Sequence, residues 1–237
     1  MVKERKLIIL PAYNEEQSIA GLCREIRETA PDYDMIVVND GSRDGTLSLC
    51  RENGVPVLDL AVNLGIGGAV QAGYRYAAKG GYNAAAQVDG DGQHDPACLR
   101  KMYETLLSEK ADMVIGSRYL EGEGYQSTAL RRWGIRYLSF LIRLATGKKI
   151  TDPTSGFRMV SGETAKQFAA DYPQDYPEPE SLVRLLKQGK KVVEVPVRMR
   201  GRSGGATSIG AGASVYYLIK VTAAILTESL RIRQRNG

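Results

Sequence analysis

Residues 84–93 read Ala-Ala-Ala-Gln-Val-Asp-Gly-Asp-Gly-Gln. An apolar stretch, Ala84 to Val88, runs directly into two carboxylates, an amide and two glycines. That order suits a strand whose end opens into a loop able to hold a ligand. Hard cations such as Mg²⁺ and Mn²⁺ take oxygen ligands and bridge protein carboxylates to substrate phosphates, which makes Asp89-Gly90-Asp91-Gly92-Gln93 a candidate metal cradle. Asp and Gly are also the commonest turn formers, so the same residues read equally as a solvated turn. The surrounding sequence has to decide.

Upstream, strand-like runs alternate with helical patterns. Strands are predicted at Lys6 to Ala12, Met35 to Asn39, Val55 to Leu60 and Tyr82 to Val88, with helices at Glu15 to Thr29, Asp44 to Asn53 and Gly68 to Lys79. Alternation at this spacing predicts an α/β fold with a mostly parallel sheet covered by helices, and such sheets bind ligands at the carboxyl ends of their strands. The polar clusters fall there: Pro11 to Glu16, Asn39 to Ser42, Asn63 to Gly65, and Asp89 to Asp95.

The second half is less regular. Helices are expected over Pro96 to Lys110, Ala129 to Thr146 and Glu180 to Gln188, and strands over Asp112 to Ser117 and Lys191 to Met199. A loop spans Thr151 to Arg158, Asp171 to Pro179 is rich in Tyr and Pro, and Arg200 to Gly212 is rich in Gly and Ser. A final helix is expected at about Ala213 to Arg233. No internal repeat or linker interrupts the chain, so residues 1–212 are taken as one domain and residues 213–237 as a C-terminal helix.

The chain has 237 residues, 43% of them hydrophobic, enough for a substantial core. Its net charge of +5 suits an anionic partner. A nucleic-acid binder would share that charge, but would leave the Asp-Gly-Asp run unexplained. Cys23, Cys50 and Cys98 form no Cys-x-x-Cys pair and have His94 as the sole histidine companion, which argues against zinc and a disulfide framework. No window reaches about 18 uncharged apolar residues, so no membrane span or signal core is expected.

Asp40 ends an apolar strand, where its carboxylate suits a nucleotide base or ribose, or alternatively a turn and helix cap. Gly65-Ile66-Gly67-Gly68 opens a helix whose N–H groups could approach a diphosphate, although Val70 occupies the third glycine position of a dinucleotide fingerprint.

Seven segments carry a family resemblance, in order along residues 6–210. They are Pro11 to Glu15, Val38 to Thr46, Asn63 to Ala69, Asp89 to His94, Gly116 to Tyr119, Asp152 to Arg158 and Arg202 to Ser208. Together they resemble the family-2 glycosyltransferases of GT-A fold, in particular enzymes similar to dolichyl-phosphate mannose synthase and bacterial polyprenyl-phosphate hexose transferases. The resemblance implies that Pro11, Tyr13, Glu15 and Asp40 hold the nucleoside of a UDP- or GDP-linked sugar, and that Arg202 reaches its diphosphate. It implies Asp89 on the ribose or metal side, and Asp91 with Gln93 as ligands of Mg²⁺ or Mn²⁺. Ser117, Arg118 and Arg131 or Arg132 would grip an acceptor phosphate. Inversion at the anomeric carbon is implied as well.

Two acceptors remain open. A polyprenyl phosphate is already ionised and attacks without a base, whereas a sugar hydroxyl of a glycan needs a carboxylate, for which Asp152 and Glu180 are the candidates. On the helix expected at 129–146, Arg132, Arg136 and Arg143 share one face and Trp133, Tyr137, Phe140 and Leu144 another, a pattern that suits an anionic lipid head and its apolar tail but also an ordinary amphipathic helix. The C-terminal helix, ending in Arg231, Arg233 and Arg235, suits a membrane surface or an oligomer contact. The expected setting is cytoplasmic, peripheral at the inner face of the cell membrane, with a homo-oligomer or a small membrane protein as further partner and no nucleic acid.

Overall fold

The computed structural model describes residues 4–121, 129–200, 219–225 and 227. Strands β1 (Lys6–Ala12), β2 (Asp34–Asn39), β3 (Val57–Asp59), β4 (Ala84–Gln87), β5 (Met113–Ser117), β6 (Arg158–Ser161) and β7 (Val192–Pro196) form one sheet in the order β3-β2-β1-β4-β6-β5-β7. The pairings β3-β2, β2-β1, β1-β4 and β5-β7 are parallel, and β6 runs antiparallel to both of its neighbours.

Helices α1 (Ile19–Thr29), α2 (Thr46–Glu52) and α4 (Cys98–Ser108) pack on one face, and α3 (Gly65–Lys79), α5 (Ala129–Thr146), α6 (Gly162–Ala170) and α7 (Pro177–Lys187) on the other. The period-two geometry of a strand explains the split: in β1, Ile8 and Leu10 enter the first core, while Leu7 and Ile9 enter the second. Each such fully buried side chain contributes about 1.5–3 kcal/mol, so a run apolar on both faces is stable at the centre of a covered sheet and not at its rim.

The expected sheet is present, with β3 shortened to Val57–Asp59, α3 beginning at Gly65 and not at Gly68, and further adjustments. Helix α1 begins at Ile19 and not at Glu15, because Glu15 to Ser18 form a separate turn in which the Ser18 and Ile19 N–H groups donate to Glu15 O at 3.1 and 3.0 Å. Helix α7 begins at Pro177, three residues before the expected Glu180, with proline in the first turn where a missing N–H costs nothing. Strand β6 and helix α6 lie in a region to which no element was assigned. Regular pairing of β7 ends at Pro196, after which Met199 makes a single antiparallel bridge to His94.

β6 matters most for function. Because it enters the sheet reversed, with Arg158 opposite Gln87, its leading loop arrives at the edge where the parallel strands end. The expected helix at 213–233 is described at 219–225, which is helical and buries Val221 and Ile225 in the core shared with α5. The Gly/Ser-rich stretch 201–212 lies outside the described residues.

Candidate active site

The loops after β1 and β2 are stitched into one surface. Asn14, at φ 56°, donates its N–H to Ser42 Oγ at 3.0 Å and accepts the Arg43 N–H on Oδ1 at 2.8 Å. The Glu15 N–H donates to Thr46 Oγ1 at 2.8 Å. Tyr13 stands out at the rim with 45% of its surface exposed, and Pro11, buried within β1, accepts the Gly90 N–H on its carbonyl. Ser18 Oγ lies 2.8 Å from Gly90 O and 3.1 Å from Glu15 Oε2, so the first loop and the Asp-Gly-Asp turn support each other.

Asp40 is 3% exposed and takes the Leu64 N–H on Oδ1 at 2.7 Å, while Asn63 Nδ2 donates to its carbonyl at 3.0 Å. It therefore ties the end of β2 to the entrance of α3, the capping alternative, and still lies on the ligand edge. Gly67 receives a different explanation from the expected one. A Cβ there would lie 2.3 Å from Gln174 O, so its missing side chain lets α3 pack against the 173–174 backbone.

Asp89 and Asp91 lie at the end of β4, both half-buried. Asp89 Oδ1 accepts from Gln87 Nε2 at 3.1 Å, and its Oδ2 rests over Gly156, where a Cβ would come within 2.7 Å. The Asp89 N–H donates to His94 Nδ1 at 3.0 Å, and the imidazole, 2% exposed, stacks on Phe157 at 4.8 Å. Asp91 Oδ1 accepts the Gln93 N–H at 3.0 Å, closing the turn. Gln93 also holds Arg200: its carbonyl accepts the Arg200 N–H at 2.9 Å and its Nε2 donates to Arg200 O at 3.4 Å. The Arg200 guanidinium bridges Glu25 and Asp95 at 2.7 and 3.0 Å, anchoring the chain just before residue 201.

Among the described residues, no three His, Cys, Asp or Glu side chains gather to cage an ion. The Asp89/Asp91 pair nevertheless fits a hard divalent cation, because Mg²⁺ is usually held by one or two carboxylates and completes its shell with waters and substrate phosphates. Oxygen donors on a half-open edge meet that requirement.

Of the expected acceptor residues, Ser117 and Arg118 meet the loop that carries Thr151 and Asp152. Arg118 donates twice to Asp152, Nε to Oδ2 at 2.6 Å and Nη2 to Oδ1 at 2.7 Å, and its own N–H donates to Oδ2 at 3.1 Å. Asp152 is fully buried. Burial works against the guanidinium charge, but the hydrogen bonds and the charge of Asp152 outweigh it and the Arg118 pKa rises. With both oxygens engaged by a cation, Asp152 is poorly disposed to take a proton from a hydroxyl. Ser117 is 1% exposed, its Oγ 2.7 Å from Thr151 Oγ1, so the hydroxyl supports this turn. Arg132 on α5 is half-buried. The Arg131 side chain and Arg202 lie outside the described residues.

Three contributors were not singled out from sequence. Glu194 on β7 accepts the N–H groups of Thr151 and Asp152 at 2.8 and 2.9 Å and so holds the Asp152 loop. Arg158, fully buried, donates to the carbonyls of Ser155 and Glu178 at 2.7 Å and of Pro153 at 2.9 Å, joining that loop to α7. Glu178 follows from the early start of α7. Burial, with the charge of Asp89 adding to it and Arg158 opposing, raises its carboxyl above the usual range. The signal for Arg158 was its position ending the Asp152 to Arg158 motif, while Glu178 and Glu194 carried none.

A mostly parallel sheet with one reversed strand, donor-type loops on its carboxyl edge and an Asp-x-Asp turn at its centre defines a GT-A glycosyltransferase fold. The solved structures agree. Glucosyl-3-phosphoglycerate synthase from Mycobacterium tuberculosis, crystallised with Mn²⁺, UDP-glucose and phosphoglyceric acid, superposes with a TM-score of 0.74 at 19% identity, covering 95% of this chain and 80% of that one. Glycosyl transferase family 2 matches residues 7–168, and the chain belongs to that family. It is a nucleotide-sugar-dependent glycosyltransferase. It is similar to the undecaprenyl-phosphate mannosyltransferase of Micrococcus luteus, 31% identical over 227 residues that cover 92% of this chain and 93% of the relative. It is also 29% identical to the polyprenol monophosphomannose synthase of Mycolicibacterium smegmatis, over 87% of this chain and 81% of that one.

Proposed function

We propose that this enzyme transfers a hexose from a nucleoside-diphosphate sugar to a polyprenyl phosphate at a membrane surface, with inversion and with Mg²⁺ or Mn²⁺ bound. The observation that carries the acceptor is the outer face of α5. Trp133, Phe140 and Leu144 are 60%, 62% and 75% exposed, Tyr137 stacks on Trp133 at 5.9 Å, and Arg136 and Arg143 stand exposed on the same helix. Large apolar side chains in a row beside cations match an anionic lipid head with an apolar tail. The names of the two relatives point the same way.

Pro11, Tyr13, Glu15 and Asp40 border the nucleoside, and Asp89 and Asp91 hold the cation. Held by Asp89 and Asp91, a bound Mg²⁺ or Mn²⁺ would supply positive charge against the departing diphosphate. An acceptor phosphate oxygen attacks the anomeric carbon, the carbon–oxygen bond to the diphosphate breaks, and the nucleoside diphosphate leaves with the electron pair. No proton needs removing, which accords with an Asp152 locked against Arg118. No helix among the described residues is long and apolar enough to cross a membrane, so attachment would be peripheral, on the cytoplasmic face where nucleotide sugars are available.

Glu178 favours a second reading, in which the acceptor is a glycan hydroxyl. A carboxyl whose pKa is raised by burial is a better proton acceptor than an ordinary one. A panel of UDP- and GDP-sugars with Mn²⁺ and undecaprenyl phosphate decides between them: the proposal expects label in the organic phase, whereas nucleotide release that requires a sugar acceptor would replace it with the second reading.

A further inference from the structure

His94 is the one histidine of the 237 residues, and it is almost completely buried. A lone buried histidine usually needs no functional account. This one contacts Asp89 twice. Its Nδ1 accepts the Asp89 N–H at 3.0 Å, and its Nε2 lies 3.7 Å from Asp89 Oδ2. A ring nitrogen that accepts carries no proton, which leaves the ring hydrogen on Nε2, the nitrogen 3.7 Å from Asp89 Oδ2. The ring itself is immobilised, stacked on Phe157 at an interplanar angle of 13°, while its backbone is bridged to Met199.

We propose that His94, as the Nε2–H tautomer, is the positioning residue of Asp89, fixing the backbone of that residue through Nδ1 and biasing its carboxylate through Nε2. The inference rests on Asp89 and Asp91 being the cation cradle. Gln87 Nε2 and His94 then approach different oxygens of Asp89, one on each side, and leave the carboxylate a narrow range of orientations. Losing a contact that orients a metal ligand typically lowers metal affinity or activity about 10–100-fold.

Two measurements test this. Long-range proton–nitrogen correlation on tag-free, metal-free protein reads one imidazole, and the expected pattern is an unprotonated Nδ1 with a protonated Nε2. The opposite tautomer overturns the proposal whatever the enzyme's activity. Titrations of Mn²⁺ against donor turnover then compare three variants. His94→Phe keeps the stack on Phe157 and loses both polar contacts, and should raise the half-saturating Mn²⁺ by about tenfold or more. His94→Asn, whose Oδ1 replaces Nδ1 as acceptor, should recover most of that loss, and His94→Gln should recover less. A His94→Phe protein with the wild-type Mn²⁺ requirement, or equal values for the Asn and Gln variants, would show that the ring merely fills space. Wild-type turnover that is indifferent to divalent metal would sink the cradle itself and the positioning role with it, a result distinct from a wrong tautomer.

Discussion

Arg118 and Asp152, each singled out from sequence, meet in the structure. Both belong to the motifs that identified the family, and both lie at the ligand edge, but they satisfy each other in a buried bidentate pair. Removing one partner leaves the other charge buried, which typically costs about 3–5 kcal/mol, whereas removing both can be nearly neutral. We therefore expect Arg118→Ala to lose roughly that much stability in urea unfolding, and Arg118→Met/Asp152→Leu to recover most of it. Activity should stay low in both. If the single variant unfolds like the wild type, the pair does not carry the acceptor loop. Asp89, Asp91 and Asp40 could be singled out because each follows an apolar run at a predicted strand end. Glu178 and Glu194 were not legible, because each looks like an ordinary charge in a helix or strand until β6 and α7 bring its partners within reach.

Elements divide in the same way. Long periodic segments were read well: α5 occupies Ala129–Thr146 as expected, and β1 occupies Lys6–Ala12. The four-residue β6 was missed, because a strand that short has too few alternations to stand out and owes its place to pairing with β4 and β5. The amphipathic reading of α5 left its outer face unexplained. Leu138 and Ile142 fill the core, yet Trp133, Phe140 and Leu144 on the other side remain in solvent. Tyr137 lies between, its hydroxyl 3.3 Å from Thr222 Oγ1. Replacing Trp133, Phe140 and Leu144 together by Glu should abolish sedimentation with phosphatidylglycerol vesicles. Exposed positions usually change stability by no more than about 0.5 kcal/mol each, so the melting temperature should hardly move. Vesicle binding that survives the triple change would assign membrane contact elsewhere, for instance to the 213–237 segment.

For the whole molecule, one edge of one sheet collects loops from β1, β2 and β4, so ligand binding there should stabilise the fold as a unit. A nucleoside diphosphate with Mn²⁺ at about a hundred times its dissociation constant contributes about 2.7 kcal/mol, or roughly 5–10 °C in melting temperature for a chain of this size. The matching sugar nucleotide should produce such a shift, and EDTA should remove most of it. Asp91→Asn should behave like EDTA treatment and cut turnover well over tenfold. A shift that is the same with and without metal, or an Asp91→Asn enzyme that keeps a tenth of its rate, would contradict the cation role. The sequence by itself determined the family and the mostly parallel sheet, because these rest on local periodicity and on residues adjacent in the chain. The tertiary structure decided that Arg118 neutralises Asp152, that Arg158 holds the Glu178 carbonyl and that His94 accepts the Asp89 N–H. Those relations depend on β6 entering the sheet reversed and on α7 beginning at Pro177, and burial and charge pairing between residues far apart in the chain are properties of packing, which no window of sequence contains.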